Sequence, residues 1–584
     1  MWKRAKAFLL AASLILGFAA ATPADAAVAT SLKEGTDAAS VFYDPLAISQ
    51  VELTHTAGYP TLNYDLLNTN TYQHADIKIT LAGKPAVTLT NVGVRLKGQA
   101  SRGDSKYPMK VKFDAFVPKQ LFLGLKRMTL NNMVQDPSFI HEATAYKLYR
   151  EAGVPAPRTG FAKVKVEGAS MGLYLNIESV DKVFAARWYP STAHIYAGPY
   201  NCDITPYNSC YEATTGDTNR GDLNNAGNAH NLHGQEWWNS INNYADMSRI
   251  IKLMAADVFM SNWDGYTDAV QNNHFSHFDA NGKLTIIPWG LDQTFTADPW
   301  AELKWDGSGP IYRGWSNHRS TLFDHCLEYA PCHAKLIQEG LRISALATTI
   351  DLSNYKNLIA ATIDPIVSSS SETYHRTDLW TLGISQGWID SFIPQRQQAL
   401  TNYLSTSAPA VVTVTIPNNL RVGATATANM DKLWEPGVTA TYQWLIAGQP
   451  ISNATAATHK ITADEFGQDL QVRVTLKKTG ASNTVASSNS STVLGQLFKK
   501  APTPTIVGTA TKGKTLKVSA GVWDTGTVKT IQWLRGTTEI AGATSTSYRL
   551  TSADVGSQIS VRVTGTKTAY ADTVRTSRKT AKIR

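Results

Sequence analysis

The spacing of apolar positions changes several times along the chain, and each change predicts an element. "MSRIIKLMAADVFM" (247–260) sets Ile250, Ile251, Met254, Val258 and Phe259 three to four residues apart, which predicts a helix. A second helical pattern covers Ser138–Ala152. Short apolar runs at Val92–Lys97, Met109–Phe113, Gly160–Glu167 and Gly172–Glu178 read as strands. After the 247–260 helix comes the polar loop "SNWDGYTDAVQNN", then "HFSHF", the tight-turn sequence "DANG" (279–282) and "KLTIIPW", which together predict a β-hairpin. That register sets Phe278 against Lys283 and Asn273 against Pro288. Asn273 then starts the first strand, Asp292 follows the second, and Asp264 lies nine residues before Asn273.

The last third of the chain switches to strict alternation, as at Leu470, Val472 and Val474, with dense Gly, Thr and Asn between runs. It is also duplicated. Residues 441–475 recur as 530–564, so that Trp444, Gly467 and Arg473 correspond to Trp533, Gly556 and Arg562, and Trp434 to Trp523, each 89 residues on. Short alternating strands around one core Trp predict two Ig-like sandwich modules, 409–495 and 500–584, which act as spacers or binders. Residues 28–405 form the preceding α+β region, with an Asn/Gly-rich stretch (198–234) that reads as a surface loop carrying one cysteine pair.

At 584 residues the chain is too long for one core, consistent with several domains. Basic residues 2–6, an apolar run (Ala7–Ala21) and small residues at 24–26 mark residues 1–26 as a signal peptide, which implies a secreted or cell-surface protein. No later stretch reaches the roughly 18 apolar residues of a membrane span. Four cysteines in an exported chain predict two disulfides. Three connectivities exist, of which Cys202/Cys210 with Cys326/Cys332 is the simplest; neither pair has zinc-ribbon spacing. Charge is uneven: residues 496–584 net +11 while the whole chain nets +9. A basic extracellular module points to anionic wall polymers as a partner, with an ordinary solvated surface as the alternative. No nucleic-acid recognition motif and no hydrolase signature such as GxSxG or HExxH is present.

The order helix, loop Asp, Asn, hairpin, Asp is that of a protein-kinase catalytic centre, where the Asp aligns the attacking hydroxyl and Asn with the last Asp holds Mg²⁺. Hard divalent cations take such carboxylate and amide oxygens. Spacing alone is weak evidence, because Asp and Asn are also ordinary turn residues. Longer blocks sharpen it: "VRLKGQASRG" (94–103), "KYPMKVKFD" (106–114), the stretch 125–181 containing "IHEATAYKLYREAGVPAPRTGF" and "GLYLNIE", "NWDGYTDAVQNNHFSHFD", and "IIPWGLDQTF". Over residues 40–400 the chain resembles the CotH kinase family, spore-coat protein H-like atypical kinases. The resemblance implies a divergent kinase-like domain followed by the two all-β modules, using ATP with Mg²⁺ or Mn²⁺ on an exported protein substrate. It assigns Asp264 as the catalytic-loop Asp, base or orienter of the attacking hydroxyl, Asn273 and Asp292 as metal ligands, Glu178 near the adenine edge, and Glu142 as partner of a phosphate-binding lysine. Lys106, Lys110 and Lys112 share strand parity, with Lys110 favoured for that lysine; Arg95 and Arg102 are further phosphate-clamp candidates or surface ion-pair formers.

One departure stands out: relatives often read Pro-Trp-Asp-x-Asp where this chain has Pro288-Trp289-Gly290-Leu291-Asp292. Fewer carboxylates weaken a divalent site. The leading expectation is therefore a secreted Ser/Thr kinase. The alternative is a non-catalytic surface adhesin or structural protein that keeps the fold. Three minor motifs carry less. His274 and His277 should point to opposite faces of a strand; RGD at 102–104 and 220–222 fits chance better than adhesion; Asp217, Asn219 and Asp222 form a loose Ca²⁺ candidate without the EF-hand pattern.

Overall fold

The computed structural model describes residues 31–98, 101–102, 106–268, 270–295, 304–305, 319–369, 379–430, 435 and 437–584, with side chains of 379–384 excepted. The predicted leader (1–26), Trp434 and Gly103-Asp104 of the first RGD lie outside the described residues.

Seven strands close into a barrel: β1 (Ser49–His55), β2 (Gln73–Thr80), β3 (Val87–Leu96), β4 (Met109–Lys112), β5 (Arg127–Asn131), β6 (Thr159–Val166) and β7 (Ala169–Ile177), ordered β1-β2-β3-β4-β5-β7-β6. A parallel β1–β6 pairing closes it; the other pairs are antiparallel. Alternation sends Val51, Leu53, Ile77, Val92, Val94, Met109, Val111, Met128 and Leu130 inward, all fully buried. The same alternation turns Arg95 and Lys110, partners across β3–β4, to the outer face. The ladder runs one residue past β3, with Lys97 N–H donating to the Pro108 carbonyl at 3.0 Å, and so delivers Lys97 to the end of the barrel.

Against the barrel stands a helical layer. α1 (Tyr64–Leu67) is a single turn; α2 (His141–Glu151) starts where Asp136 accepts the backbone N–H groups of Ser138 and His141. Then follow α3 (Lys182–Trp188), α4 (Gly221–Gly227), α5 (Gly234–Tyr244), α6 (Met247–Met260), α7 (Thr321–Glu328), α8 (Ala330–Thr349), α9 (Leu352–Val367) and α10 (Leu379–Thr406). α6 occupies the residues expected of it. It is apolar beyond one stripe and buried nearly all round, so it is the central helix of the largest core rather than a surface one. Ser261 ends it in a left-handed conformation (φ 54°), turning the chain sharply into the loop that follows.

The hairpin forms as β10 (His274–Phe278) and β11 (Leu284–Pro288) in a sheet ordered β11-β10-β8-β9 with β8 (His194–Gly198) and β9 (Glu212–Thr215). Its register differs by one residue from expectation: His274, not Asn273, faces Pro288, and Phe278 faces Leu284. The connection is five residues, 279–283, because Asp279 gathers the N–H groups of Asn281 (2.8 Å) and Lys283 (2.9 Å) into an Asx-type turn. A second correction concerns 198–234, which is not a surface loop. It supplies β9 and α4 and buries Cys202, Ile204, Tyr211, Leu223 and Ala226 in the main core. The Cys202–Cys210 disulfide closes its base, and Cys326–Cys332 is the second bond, the simplest pairing.

The C-terminal region is all β, and its duplication is structural to the residue. Trp444 pairs with Val472 and Trp533 with Val561; each indole N–H donates at 2.9 Å to the carbonyl twelve residues later, Ala456 or Ser545. Both Trp side chains are fully buried, as the centre of a sandwich requires. Among the described residues no helix is long and apolar enough to cross a membrane.

Candidate functional site

The loop leaving α6 is fixed by a buried acid at the helix end. Asp257 accepts hydrogen bonds from the Tyr149 hydroxyl of α2, the Thr267 hydroxyl, and Asn262 Nδ2 at 2.9 Å. Burial pushes its carboxyl up to about 6 in spite of these donors. Within the loop so held, Asp264 accepts from Asn272 Nδ2 (3.1 Å) and Asn273 Nδ2 (2.8 Å). Burial, with the neighbouring Asp292 charge, raises Asp264 to about 6 as well. Asn273 takes a left-handed conformation (φ 46°), and its amide N–H₂ is committed to Asp264, so Oδ1 is left as the acceptor.

The segment after β11 is pinned by α2. Trp289 N–H donates to Asn273 O (2.9 Å), Gly290 N–H to the Tyr146 hydroxyl (3.2 Å), and Leu291 N–H to Glu142 Oε1 (3.2 Å). Glu142 and Tyr146 are one helical turn apart, so a single face of α2 holds consecutive backbone N–H groups. Asn131 Nδ2 donates to the other oxygen of Glu142. Buried Lys97 faces both Glu142 and Asp292 and lies over the Trp289 ring, Nζ 5.5 Å from the centroid. Burial lowers the Lys97 ammonium against the pull of the two acids. Burial likewise raises Glu142 and Asp292, and Lys97 only partly offsets it. Negative charge is thus under-compensated here: Glu142, Asp264 and Asp292 converge, with Asp136 adding to Asp292, and Lys97 offsets only Glu142 and Asp292.

Lys97, Asp264, Asn273 and Asp292 line a cleft of about 560 Å³ with Gln135, Trp263, Phe275, Trp289 and Lys110, and Glu142 is the buried neighbour of Lys97 and Asp292. Lys110 also lines an adjoining pocket of about 280 Å³ with Arg95, Arg127 and Tyr72. Burial and the like charges of Arg95, Lys97 and Arg127 lower Lys110 to about 8. The donor set suits a hard divalent cation: two raised carboxylates and an amide oxygen whose N–H₂ is held by Asp264, while the imidazole in the lining, His274, has its nitrogens on Tyr211 and the Asn272 carbonyl.

The structure therefore brings Asp264, Asn273, Asp292 and Glu142 together, with Lys110 at the rim. It does not bring the other expected residues there. Glu178 is buried but off the cleft, its two oxygens taken by Arg158 (2.8 Å) and Arg187. Arg102 reaches Asn68 and Asn70, both at 2.8 Å, and is a loop tie, not a clamp in this cleft. Lys106 lies outside β4, buried over Phe139 and Tyr174, while Lys112 is too far along the strand. The lysine beside Glu142 is Lys97, which the parity argument along β4 missed; its signal was a lone lysine closing the apolar run of β3 in "VRLK".

The minor motifs resolve into structure. His274 and His277 are buried, bonded to Tyr211 and Thr192, and held near 4 by desolvation. In the second RGD, Arg220 donates to the carbonyls of Asn208 and Tyr211, and Asp222 binds His194 and Tyr196, so neither end is presented as a ligand. His194 also contacts Asp217, so an imidazole sits between the two acids of the Ca²⁺ candidate.

Gly290 has φ +57°, and a Cβ there would lie 2.8 Å from Asn273 Cγ and 2.9 Å from Oδ1. Any side chain must displace an amide held by Asp264. Gly290→Ala should therefore cost stability by about 1 kcal/mol or more from backbone conformation alone and weaken metal-dependent nucleotide binding, measured by denaturation and calorimetry. Gly290→Asp is not a plain restoration of a second carboxylate, because it meets the same clash.

A family model described as CotH kinase protein matches residues 94–400. Inner spore coat protein H of Bacillus subtilis (strain 168) is 24% identical over 341 residues, 55% of this chain and 91% of that protein. Solved structures include murine CEACAM1b (13% identity, TM-score 0.17, 29% of this chain and 97% of that one). Fibronectin(III)-like modules of Clostridium thermocellum CbhA give 14% identity and TM-score 0.12, over 28% of this chain and 92% of that one. Such TM-scores carry no argument, and the C-terminal reading as Ig-like repeats rests on the all-β duplication itself. With more than half of its 584 residues matched by that model, the chain belongs to the CotH kinase protein family.

Proposed function

We propose that this protein is an exported atypical kinase that transfers a phosphoryl group from metal-bound ATP to Ser/Thr hydroxyls of exported or surface proteins. The observation that carries this reading is the convergence of Lys97, Asp264, Asn273 and Asp292 in one cleft, with buried Glu142 beside Lys97 and Asp292. In this reading the barrel and helical layer (28–405) form a divergent kinase-like domain. The basic second Ig-like module would hold the enzyme against an anionic wall polymer or partner, and two disulfides suit an oxidising location.

Asp264, titrating near 6, is mostly ionised at neutral pH and is positioned by two amides to take the proton of an acceptor hydroxyl. As the hydroxyl oxygen bonds to phosphorus, the bond from the γ-phosphorus to the ADP oxygen breaks. Asn273 Oδ1 and Asp292 would hold Mg²⁺ or Mn²⁺, which when bound neutralises phosphate charge. Lys97, oriented by Glu142, binds phosphate oxygens, and Lys110 supplies a second cation at the rim. Incubating the full chain with labelled ATP and Mn²⁺ or Mg²⁺ should label the protein itself or an exported acceptor, and chelation should stop it. Absence of metal-dependent nucleotide binding would overturn the proposal. Gly290 favours one second reading, a structural surface protein; nucleotide binding without transfer in any acceptor mixture would select it.

A further inference from the structure

We infer that His233, His325 and Glu328 form a binding site for one zinc-class divalent cation at the corner where α5 begins and α7 ends, outside the cleft. Their ligand atoms all lie within 4.8 Å of one another. His233 Nδ1 is 2.9 Å and His325 Nδ1 3.2 Å from the same atom, Glu328 Oε2. Donors on a tetrahedral zinc with ordinary bond lengths lie roughly 3.3 Å apart, so both histidine–carboxylate separations are close to that spacing already.

The buried member carries the argument. His325 is 7% exposed, packed against Trp237 (ring centroids 5.4 Å) and edge-on to His233 (4.9 Å), and the neighbouring Cys326 is stapled to Cys332. Its Nε2 lies 2.8 Å from the His230 carbonyl, which can only accept, so Nε2 carries the proton. In the neutral ring Nδ1 is then a lone pair, yet it faces a carboxylate oxygen at 3.2 Å. Two acceptors so placed need a proton or a metal ion between them. An imidazole whose other nitrogen donates to a backbone carbonyl is the usual outer-shell arrangement of a metal-binding histidine. Two imidazoles and one carboxylate select zinc and its neighbours over Mg²⁺ or Ca²⁺, and leave a fourth position for water or an incoming donor. Bound there, the ion would tie the start of α5 to the end of α7.

Titrating the full chain with Co²⁺ as a spectroscopic stand-in should give the intense visible absorption of a tetrahedral site at one equivalent, displaced by Zn²⁺. Zn²⁺ should also raise Tm. His233→Ala and Glu328→Gln change exposed side chains, leave circular dichroism unaltered, and should each weaken Zn²⁺ binding at least about tenfold and abolish the Tm rise. Asp292→Asn in the cleft should leave the Co²⁺ absorption intact. Failure of wild type to bind Zn²⁺, or equal binding by the His233 and Glu328 variants, assigns the trio to ordinary histidine–carboxylate hydrogen bonding and overturns the inference.

Discussion

Asp264→Asn should lower phosphoryl transfer by about 10²–10⁴-fold while metal-dependent nucleotide binding persists, because the change removes the proton acceptor and leaves Lys97, Asn273 and Asp292 in place. The same group sets the expected pH profile. Its carboxyl is raised to about 6 by burial, two amide donors and the Asp292 charge notwithstanding and assisting respectively. Wild-type rate should therefore fall about tenfold per pH unit below that value, as the base is lost to protonation. Stability runs the other way. A carboxyl whose folded pKa lies above its unfolded value contributes stability at acid pH, and that contribution is lost as pH rises through about 6. The Asn variant escapes this cost but can accept from only one of the amides of Asn272 and Asn273, a loss of about 1 kcal/mol. The two effects oppose, so Tm near neutrality should stay close to wild type while transfer collapses. A variant that loses activity and Tm together would assign Asp264 a structural role.

What the sequence made legible was what local pattern dictates. The apolar spacing of 247–260 bounded α6 as observed, and the 89-residue repeat identified both sandwich tryptophans. Asp264, Asn273 and Asp292 were findable because a loop and a hairpin bring them together through short chain segments. Elements decided by distant partners were not. The hairpin slipped by one residue because the Asp279 carboxylate captures Lys283 N–H, which a turn count cannot show. The resemblance put Glu178 near the adenine edge, but Arg158 and Arg187 arrive from other elements and occupy both of its oxygens. The 198–234 stretch has a loop's composition, yet its sparse Ile204, Tyr211 and Leu223 are enough to seat it once Cys202–Cys210 closes its base. Lys97 is marked locally only as the lysine that ends "VRLK", which does not foretell its enclosure. Only the meeting of β3, α2 and the 290 loop encloses it.

Lys97→Met is accordingly the sharpest test of that meeting. It should abolish both transfer and tight nucleotide binding, and destabilise the fold in a pH-dependent way. Removing the cation that faces both acids leaves Glu142 and Asp292 facing each other without compensation, a change worth about 3–5 kcal/mol when a buried charge is left unpaired. Both acids are already raised by burial, and without Lys97 they must rise further. At about pH 5 they take up protons and the deficit shrinks, whereas at about pH 8 they are forced to ionise and it grows, so the Tm difference from wild type should widen with pH. Glu142→Gln added to Lys97→Met should recover much of the stability and none of the activity, a non-additivity expected of groups in direct interaction. Lys110→Met separates the two lysines. Lys110 is surrounded mainly by other cations, Arg95, Lys97 and Arg127, so its loss relieves repulsion and should not reproduce a Tm deficit that widens with pH. If Lys110→Met rather than Lys97→Met shows that widening deficit together with lost nucleotide binding, the pairing of Lys97 with Glu142 is not the device that holds the phosphates.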